Sequence, residues 1–403
     1  MLFGDVLCNE SVKQRLKDMV QQNRLSHAII LLGGEGNGAL PLALAFTQYI
    51  ACEKVQRGMQ PKADLGPSLF GDALPPAEPK FYSEPCNECS SCIKAKQFIH
   101  PDIHFTYPII PKKSGDKPKS TDYVSDWRGF IQAMPYGNAY DWLQYINAEN
   151  KQGNISAEEC NEINRQMSLQ SFENNYKILI LWMPEYLGKE GNKLLKLIEE
   201  PPPNTIFILV AEKEDLILPT ILSRCLLVKV NAAKTDQIKE TLMLKAKATA
   251  AQAHQAAIMA HGNYRAALEI LQHNHTDNLS LVKEWMNAIF FQGPAAQVKW
   301  CDDMSRLGRE NQKQFLLYFL QLIEASTRML AGVPSNDQAD EQEAIFIAKL
   351  HKMCGQAGLI ALATQINNAI YHIERNANAK MLFHALCIKF WHLIKNKMLL
   401  LTD

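Results

Sequence analysis

Two short apolar runs mark the middle of the chain. Lys177–Trp182 and Ile206–Ala211 are continuous and rich in β-branched residues. Such runs are typical of strands that are buried on both faces of a parallel sheet. Between them, the pattern from Gly191 to Glu200 predicts a helix, which ends at three consecutive prolines because proline cannot continue it. The alternation of strand and helix predicts right-handed crossovers in a three-layer α/β domain.

The same alternation continues on both sides of these runs. The N-terminal stretch predicts a helix, the strand Ala28–Leu32, a glycine-rich loop and a second helix. Asp102–Tyr107 and Leu226–Val230 have strand patterns, and a polar helix is predicted from about Ser156 to Gln170. The strand patterns stop there, so we assign residues 1–231 to one parallel α/β core domain.

Only helical patterns follow the last strand. Residues 235–273 are rich in alanine and predict short helices with a break at His261–Asn263. Residues 280–400 predict longer amphipathic helices, because apolar residues recur at i, i+3 and i+4. We therefore predict a small helical domain over residues 232–278 and a helical bundle over residues 279–403.

Two stretches of the core domain depart from the pattern. Residues 53–85 contain six prolines and predict an insertion with little regular structure. The predicted zinc module spans residues 53–92, which include this insertion and the cysteine cluster that follows it. Residues 105–150 form a second, variable insertion, in which residues 111–120 predict a mobile loop with several lysines. These lysines could contact DNA, although such basic segments are more often simply solvated.

The balance of charge limits the class of partner. The chain has 403 residues, with 42 basic and 42 acidic side chains, so the strongly basic surface of a primary nucleic-acid binder is not expected. There is no N-terminal signal pattern and no run of about 18 apolar residues. We therefore predict a cytoplasmic protein without a membrane partner, in which the ten cysteines are thiols or metal ligands rather than disulfides.

The loop after the first strand has the glycine spacing of a phosphate-binding loop. Gly33, Gly36 and Gly38 are the residues that could line an anion site. The next two positions should be lysine and serine or threonine, which hold phosphates and Mg²⁺, but they are Ala39 and Leu40. The sequence predicts a degenerate loop without hydrolysis, and it leaves open weak nucleotide binding or an unrelated glycine turn.

A second part of a nucleotide hydrolase is missing at the end of the run Lys177–Trp182. An aspartate is expected there to hold Mg²⁺, but the chain continues with Met183, Pro184 and Glu185, of which only Glu185 is acidic. Since two independent parts of one active site are absent, we predict no intrinsic catalytic activity.

Four cysteines have the spacing of a metal site. Cys86, Cys89 and Cys92 are each separated by two residues, and Cys52, at the end of a predicted helix, can supply a fourth thiolate. Zn²⁺ in structural sites prefers four such ligands in a tetrahedron. The alternatives are scattered reduced cysteines or a thioredoxin-like redox pair, which the surrounding pattern does not favour. We predict a structural Zn²⁺ that cross-links an insertion too small for its own core.

Two further motifs carry a resemblance to a known family. The block Leu194–Pro202 and the segment Pro219–Cys225 closely resemble the clamp-loader branch of the AAA+ ATPases. Three other segments are similar to the bacterial replicative clamp loader: His27–Ala28, His100–Asp102 and Arg375–Asn378. The resemblance covers most of the chain. It implies an AAA+ core with a zinc module, a helical lid over residues 232–278 and a C-terminal helical collar that assembles with homologous subunits.

The resemblance also implies a role. In this family the motor subunits, gamma and tau, keep the complete phosphate loop, whereas a non-motor subunit has a degenerate loop and retains Ser-Arg-Cys. This chain resembles the non-motor subunit, so Arg224, next to Ser223, would act as an arginine finger in the ATP site of a neighbouring motor subunit. ATP would be bound only by that neighbour. Arg265 resembles the sensor-2 arginine of the lid, for which a structural role is at least as much expected.

The implied partners are the gamma/tau and delta subunits, with the sliding clamp and primer–template DNA reached through the complex. Two other functions stay open. One is a divergent motor subunit with residual ATPase, which Ala39, Leu40 and Met183 oppose. The other is a stand-alone zinc-containing DNA-binding protein, which the zero net charge opposes and which tight, salt-sensitive DNA binding by the monomer would support.

Overall fold

The structure is a computed structural model, and it describes residues 1–59, 82–111, 115–148, 151–272, 278–330, 341–374 and 377–395. The chain forms two compact units, Met1–Gln272 and His273–Asp403. The first unit holds the α/β core and the three helices that follow it, and the second unit is helical. The boundary predicted after residue 231 falls inside the first unit, and the division into three domains remains a prediction.

The first unit is built on five strands, β1 Ala28–Leu32, β2 Ile103–Thr106, β3 Lys177–Trp182, β4 Thr205–Ala211 and β5 Leu226–Lys229. They form one sheet in the order β2-β3-β4-β1-β5, and every pairing is parallel. Ile30 of β1 lies between Leu209 of β4 and Leu227 of β5. β3 and β4 are buried along their full length, as expected when helices cover both faces. The predicted parallel α/β core is confirmed.

Each face of the sheet has its own core. On one face, Ile29 packs in the same cluster as the helix Ala39–Ala51, which is buried from end to end. On the other face, Ile30 packs in the same cluster as Ile163 of the helix Ala157–Ser168. Because successive strand residues point to opposite faces, β1 contributes to both cores.

Local capping explains where several helices of the first unit begin. The side chains of Asn9, Ser156 and Thr249 accept hydrogen bonds from backbone N–H groups of the first turn, which are otherwise unpaired. The α-helices span Glu10–Gln21, Ala39–Ala51, Glu53–Met59, Ser90–Lys96, Val124–Ala133, Ala139–Tyr145, Ala157–Ser168, Leu195–Glu199, Pro219–Leu222, Thr235–Lys245, Ala250–Met259 and Tyr264–Gln272. Shorter 3₁₀ segments span Phe3–Asp5, Ser120–Tyr123, Pro184–Leu194 and Glu214–Leu216.

Two predictions about regular structure need correction. The helix expected from Gly191 to Glu200 is α-helical only over Leu195–Glu199 and is preceded by 3₁₀ turns, which are interrupted where Gly188 adopts a left-handed φ of 50°. The first insertion, expected to be irregular, begins with the helix Glu53–Met59. Residues 60–81, with five of its six prolines, lie outside the described residues.

The second insertion is also more ordered than its sequence pattern suggests. It contains the helices Val124–Ala133 and Ala139–Tyr145, and its tryptophans are fully buried. Trp127 stacks on Tyr107 with ring centroids 4.1 Å apart and meets Trp142 edge to face at 5.2 Å. Aromatic side chains bury large apolar areas, so this insertion is part of the main core rather than a loop on its surface.

The second unit is a helical bundle around a tryptophan pair. Trp285 stacks on Trp300 with ring centroids 4.9 Å apart and is surrounded by phenylalanines such as Phe315 and Phe383. Five apolar residues of the stretch 311–331 are buried in the core of this unit: Phe315, Leu316, Phe319, Leu322 and Ile323. Its helices span Asn278–Asn287, Pro294–Arg306, Arg309–Leu330, Glu341–Glu374 and Ala379–Lys395, with a π-helical turn at Ala288–Gln292.

One helix of the second unit, Gln342–Ile373, is long and apolar enough to cross a membrane by length and composition. Its backbone leaves the helical conformation at Gly355, where φ is 62°. Leu359, Leu362 and Ile366 are buried in the core of the bundle. A spacing of three and four residues is that of an amphipathic core helix, which is how we interpret it.

Candidate functional site

The glycines of the loop that joins β1 to the helix Ala39–Ala51 allow close approach of other backbone. Gly36 and Gly38 have φ of 70° and 86°, a region that favours glycine. A Cβ at Gly38 would lie 2.7 Å from the carbonyl oxygen of Leu7, and one at Gly36 would lie 1.8 Å from Oδ1 of Asn263. The loop is therefore clamped between the N-terminal segment and the residues that precede the helix Tyr264–Gln272.

Backbone hydrogen bonds of the loop are made inside the protein. The N–H of Gly33 donates to the carbonyl of Ala211 at 3.0 Å, and the carbonyl of Gly36 accepts from the N–H of Tyr264 at 3.3 Å. Ala39 and Leu40, where a nucleotide hydrolase has its lysine and hydroxyl, are buried in the main core. The two positions that would hold phosphate and Mg²⁺ are thus packing residues of the core.

Little space remains above the loop. A cavity of about 20 Å³ lies there, lined by the loop glycines and, opposite them, by Pro135, Tyr136, Gly137 and Trp182. A water molecule needs at least about 10–15 Å³ measured in this way. Sites for small organic ligands have volumes of about 300–1,000 Å³. We call the loop and this cavity the loop site; in the described conformation it has room for about one water molecule.

The end of β3 has no metal-binding geometry in its described residues. Met183, at the expected aspartate position, is buried with a left-handed φ of 59°. The carboxylate of Glu185 accepts hydrogen bonds through Oε1 from the backbone N–H groups of Glu212 and Lys213, at 2.6 and 2.8 Å. Burial raises the pKa of Glu185. This carboxylate therefore joins the segment that follows β3 to the segment that follows β4, at the carboxyl ends of the two strands.

Arg265 brings together three elements beside the loop site. Its side chain is only 5% exposed. Its Nη2 lies 2.7 Å from Oδ1 of Asp141, and its Nη1 lies 2.7 Å from Oε1 of Glu35. Glu269, one turn along the same helix, is also 2.7 Å away. The partnership with Asp141 could not be predicted, because 124 residues separate the two and no spacing rule connects them.

The structure brings together the four cysteines that the spacing had grouped. Among the described residues, the sulfur atoms of Cys52, Cys86, Cys89 and Cys92 lie within 4.8 Å of one another. Ligands at the usual Zn–S distance of about 2.3 Å have sulfurs about 3.8 Å apart in a tetrahedron, and Cys86 and Cys92 are separated by 3.9 Å. The donor set and its spacing fit a closed metal site, so these cysteines could hold an ion such as zinc.

Backbone amides support this cluster. The N–H groups of Cys86, Cys89 and Cys92 each donate to the sulfur of another cysteine of the set at 3.4 Å. The hydrogen bond from Cys92 lowers the pKa of Cys52 and raises that of Cys92 itself. The amide donors favour the thiolate form of these cysteines, which is the form that binds a metal.

Arg224 lies at the surface, next to the short helix Pro219–Leu222. Its Nη1 donates to the carbonyl of Thr220 at 2.8 Å and to Oγ of Ser223 at 3.1 Å, and its Nε donates to Glu199. The guanidinium side chain is 34% exposed. An open depression of about 450 Å³ lies here, lined by Arg224, Ser223, Glu199, Ile198 and His27. The sequence did not predict that Glu199, from the Leu194–Pro202 block, would hold Arg224.

The described lysines of the second insertion are paired with acidic side chains. Lys117 bonds to Glu158 at 2.7 Å, and Lys119 bonds to Glu162 at 2.8 Å. These contacts reduce the positive charge that the segment could offer to DNA. The other two lysines of the predicted loop, at 112 and 113, lie outside the described residues.

Comparison with known proteins finds similarity to subunits of bacterial DNA polymerase III. Residues 75–234 match the family model described as DNA polymerase III, delta subunit. The delta′ subunit of Bacillus subtilis is 23% identical over 233 residues, covering 58% of this chain and 50% of that protein. The delta′ subunit of Haemophilus influenzae is 24% identical over 247 residues, covering 61% and 55%. The chain thus spans about half the length of the curated relatives that it matches.

Tau and gamma subunits match as well. The tau subunit of Bacillus subtilis is 23% identical over 224 residues, which cover 55% of this chain and 28% of that protein. A solved structure of a gamma-subunit-related protein from Thermotoga maritima is 15% identical, with a TM-score of 0.34 over 94% of this chain and 98% of the other. The delta′ and tau subunits of Bacillus subtilis are thus equally similar to this chain, at 23% identity.

Proposed function

Since the chain resembles the delta′ subunits of bacterial DNA polymerase III, we propose that it is a non-hydrolysing subunit of that enzyme's clamp loader. It works in the cytoplasm during DNA replication, in a complex with gamma/tau and delta subunits. It presents Arg224 to the ATP site of a neighbouring motor subunit while the complex opens the sliding clamp at a primer–template junction.

One observation carries this proposal: the chain's own loop site is filled by side chains, while Arg224 is at the surface. The loop site leaves about 20 Å³, whereas Arg224 opens onto a depression of about 450 Å³. A residue that serves another subunit must be reachable from outside. ATP would therefore be bound and hydrolysed in the neighbouring subunit, and this chain would supply the positively charged group.

The residues around Arg224 suit such a role. A guanidinium is permanently charged and binds phosphate oxygens in a forked geometry. The carbonyl of Thr220 and the hydroxyl of Ser223 hold one end of the fork, which limits the rotamers that Arg224 can adopt. Glu199 neutralises the arginine in the free chain, and the transferring phosphoryl group would replace that carboxylate in the complex. Ser223 is thus a positioning residue, and Arg224 is the group that would contact the reacting phosphate.

The test is the ATPase rate of a loader reconstituted with its cognate motor and delta subunits, stimulated by DNA and clamp. Arginine fingers supplied in trans are worth roughly 10³–10⁵ in rate. We expect Arg224→Ala to lower the rate by at least about tenfold, which corresponds to ~1.4 kcal/mol. Arg224→Lys should recover only part of the rate, because an ammonium group keeps the charge but not the fork.

The matched control is Arg165→Ala. Arg165 is also an exposed arginine paired with a carboxylate, Glu162, but it is remote in sequence from the Ser-Arg-Cys segment. Its variant should keep the wild-type rate. If loaders that assemble equally well hydrolyse ATP at the same rate with Arg224→Ala and with the wild-type chain, Arg224 does not act on the neighbour's ATP. The subunit would then have only a structural role. ATP turnover by the isolated chain would instead favour the motor-subunit alternative.

The same proposal includes a structural Zn²⁺ held by Cys52, Cys86, Cys89 and Cys92. The ion would join the end of the helix Ala39–Ala51 to the helix Ser90–Lys96, since Cys52 follows the first and Cys92 lies in the second. Its contribution is a cross-link, because four protein ligands leave no open position for a substrate.

Metal analysis of the purified chain tests this part. We expect about one Zn²⁺ per chain in the wild type and loss of most of it in Cys89→Ser, because three thiolates bind a structural zinc far more weakly than four. Cys160→Ser is the matched control, since Cys160 is buried but outside the cluster. Full retention of zinc by Cys89→Ser, or a wild-type chain that binds none when zinc is supplied, would contradict the site.

A further inference from the structure

We propose that residues 135–141 form an internal plug, which fills the loop site and holds the helix Tyr264–Gln272 against the α/β core in place of a nucleotide. The plug belongs to the second insertion. It consists of the residues just before the helix Ala139–Tyr145 and the first turn of that helix. It would act whether or not Arg224 serves as a finger, because every contact involved lies at the loop site.

Tyr136 connects three parts of the first unit. Its hydroxyl accepts a hydrogen bond from the backbone N–H of Leu7 at 2.7 Å. Its ring lies against the loop, so that a Cβ added at Gly38 would be 3.3 Å from Cε1 of Tyr136. The ring of Tyr136 also contacts the ring of Tyr264 edge to face, with centroids 4.8 Å apart. The N-terminal segment, the glycine loop and the helix Tyr264–Gln272 are therefore joined through one buried side chain.

Asp141 supplies the negative charge that Arg265 would otherwise find on a phosphate. An arginine fork pairs with a carboxylate and with a phosphate in the same way, and Arg265 forks onto both oxygens of Asp141. Glu35 projects from the loop itself and occupies another N–H of the same guanidinium. A phosphate at the loop would have to displace or face both carboxylates, which repel it.

Asp141 is also held by hydrogen bonds that do not involve Arg265. Its Oδ2 accepts from the backbone N–H of Asn138 at 3.0 Å, and its own N–H donates to Oδ1 of Asn138 at 2.9 Å. This reciprocal pair is a capping box at the start of the helix Ala139–Tyr145. Since both residues are buried, the plug is a rigid part of the unit in the described conformation.

Hydrogen exchange of the full-length chain tests the locking role. In Asp141→Asn we expect the amides of residues 264–272 to exchange at least about tenfold faster, because one carboxylate that ties this helix to the core is lost. The variant should still fold, since Arg265 retains Glu35 and Glu269. The matched control is Asp122→Asn, which removes a capping-box aspartate of the same insertion that bonds to the backbone of Lys119.

Unchanged exchange in Asp141→Asn, or equal acceleration in Asp122→Asn, would overturn the locking role. Tyr136→Phe provides a second measurement if the first variant does not fold. It keeps the ring and removes only the acceptor for Leu7, so the amide of Leu7 should exchange faster while residues 264–272 change little. No change at Leu7 would contradict the contact on which the plug depends.

Titration with a fluorescent ATP analogue tests the filling role. Ala39→Lys with Leu40→Thr restores the missing groups of the loop, and Tyr136→Gly with Asp141→Asn opens the plug. We expect the variant with all four changes to bind the analogue at least about tenfold more tightly than the variant with either pair alone. If the restored loop binds as tightly with the plug intact, or if the folded fourfold variant binds no better than the wild type, the plug does not exclude nucleotide.

Discussion

Arg265 and Arg224 lie in the same unit and both bind carboxylates, but their surroundings differ. Arg265 is 5% exposed and is surrounded by three carboxylates from three elements. Arg224 is 34% exposed and meets one carboxylate, that of Glu199, together with a backbone carbonyl. The first arginine is part of what holds the unit together, whereas the second can change partner without disturbing the core.

The energies of the two kinds of pair differ accordingly. Removing one partner of a buried ion pair costs about 3–5 kcal/mol, because an uncompensated charge stays in a poorly solvated place. An exposed pair contributes about 0.2–1 kcal/mol, because water already solvates both groups. A residue that must leave its carboxylate for a neighbour's phosphate therefore needs surroundings like those of Arg224.

The largest expected effect is on stability at Arg265. Arg265→Met should lower the free energy of unfolding of the first unit by roughly 3–5 kcal/mol, since Asp141 remains buried without its cation. For a unit of this size that corresponds to a fall in Tm of at least about 6 °C. Thermal unfolding followed by circular dichroism measures it.

Arg224→Met is the control for this comparison. It should change the same transition by about 1 kcal/mol or less, because its pair is exposed. If both variants lowered the Tm equally, the distinction between a structural and an available arginine would fail, and Arg224 would have to be counted among the residues that hold the unit together.

A smaller effect is expected at Glu199. Glu199→Gln keeps the shape of the side chain and removes the charge that neutralises Arg224, so stability should change by about 0.5 kcal/mol or less. The reconstituted loader should hydrolyse ATP as fast as the wild type or up to about threefold faster, since releasing a weak surface pair costs a few tenths of a kcal/mol.

Glu190→Gln is the matched variant, because Glu190 is an exposed carboxylate paired with Lys193 in the same part of the chain. It should leave both stability and ATPase unchanged. A loss of ATPase in Glu199→Gln comparable to that in Arg224→Ala would mean that Glu199 orients the arginine in the complex rather than merely neutralising it in the free chain.

The parts of the fold that could be predicted are those with a local signal. β1, β3 and β4 are short, mostly apolar runs, whereas β2 alternates apolar and polar residues. The sheet buries β3 and β4 on both faces as such runs require. The cysteine set was also predictable, because two-residue spacings place thiolates on one tight turn. The helices of the second insertion were missed. Their buried residues do have helical spacing, because Trp127, Phe130 and Ile131 in one helix, and Ala139, Trp142 and Leu143 in the other, recur at i, i+3 and i+4. The local signal was therefore present, but it extends over only two or three turns in each helix.

The candidate sites divide in the same way. The loss of lysine and hydroxyl at Ala39 and Leu40 is visible in the sequence, and so is the Ser-Arg-Cys segment. That the loop site is filled, and that Asp141 is the residue bound by Arg265, could not be predicted. Both depend on contacts between residues more than a hundred positions apart, for which one chain offers no spacing rule.

By itself, the sequence determined the order of the five strands along the chain, the grouping of the four cysteines and the chemical groups absent from the loop, because each depends on residue type and near neighbours. Only the tertiary structure decided which arginine is buried and which is available, and what occupies the space above the glycines. Burial and charge pairing arise when distant segments pack together, and the free energy of a charge depends on those surroundings more than on its position in the chain.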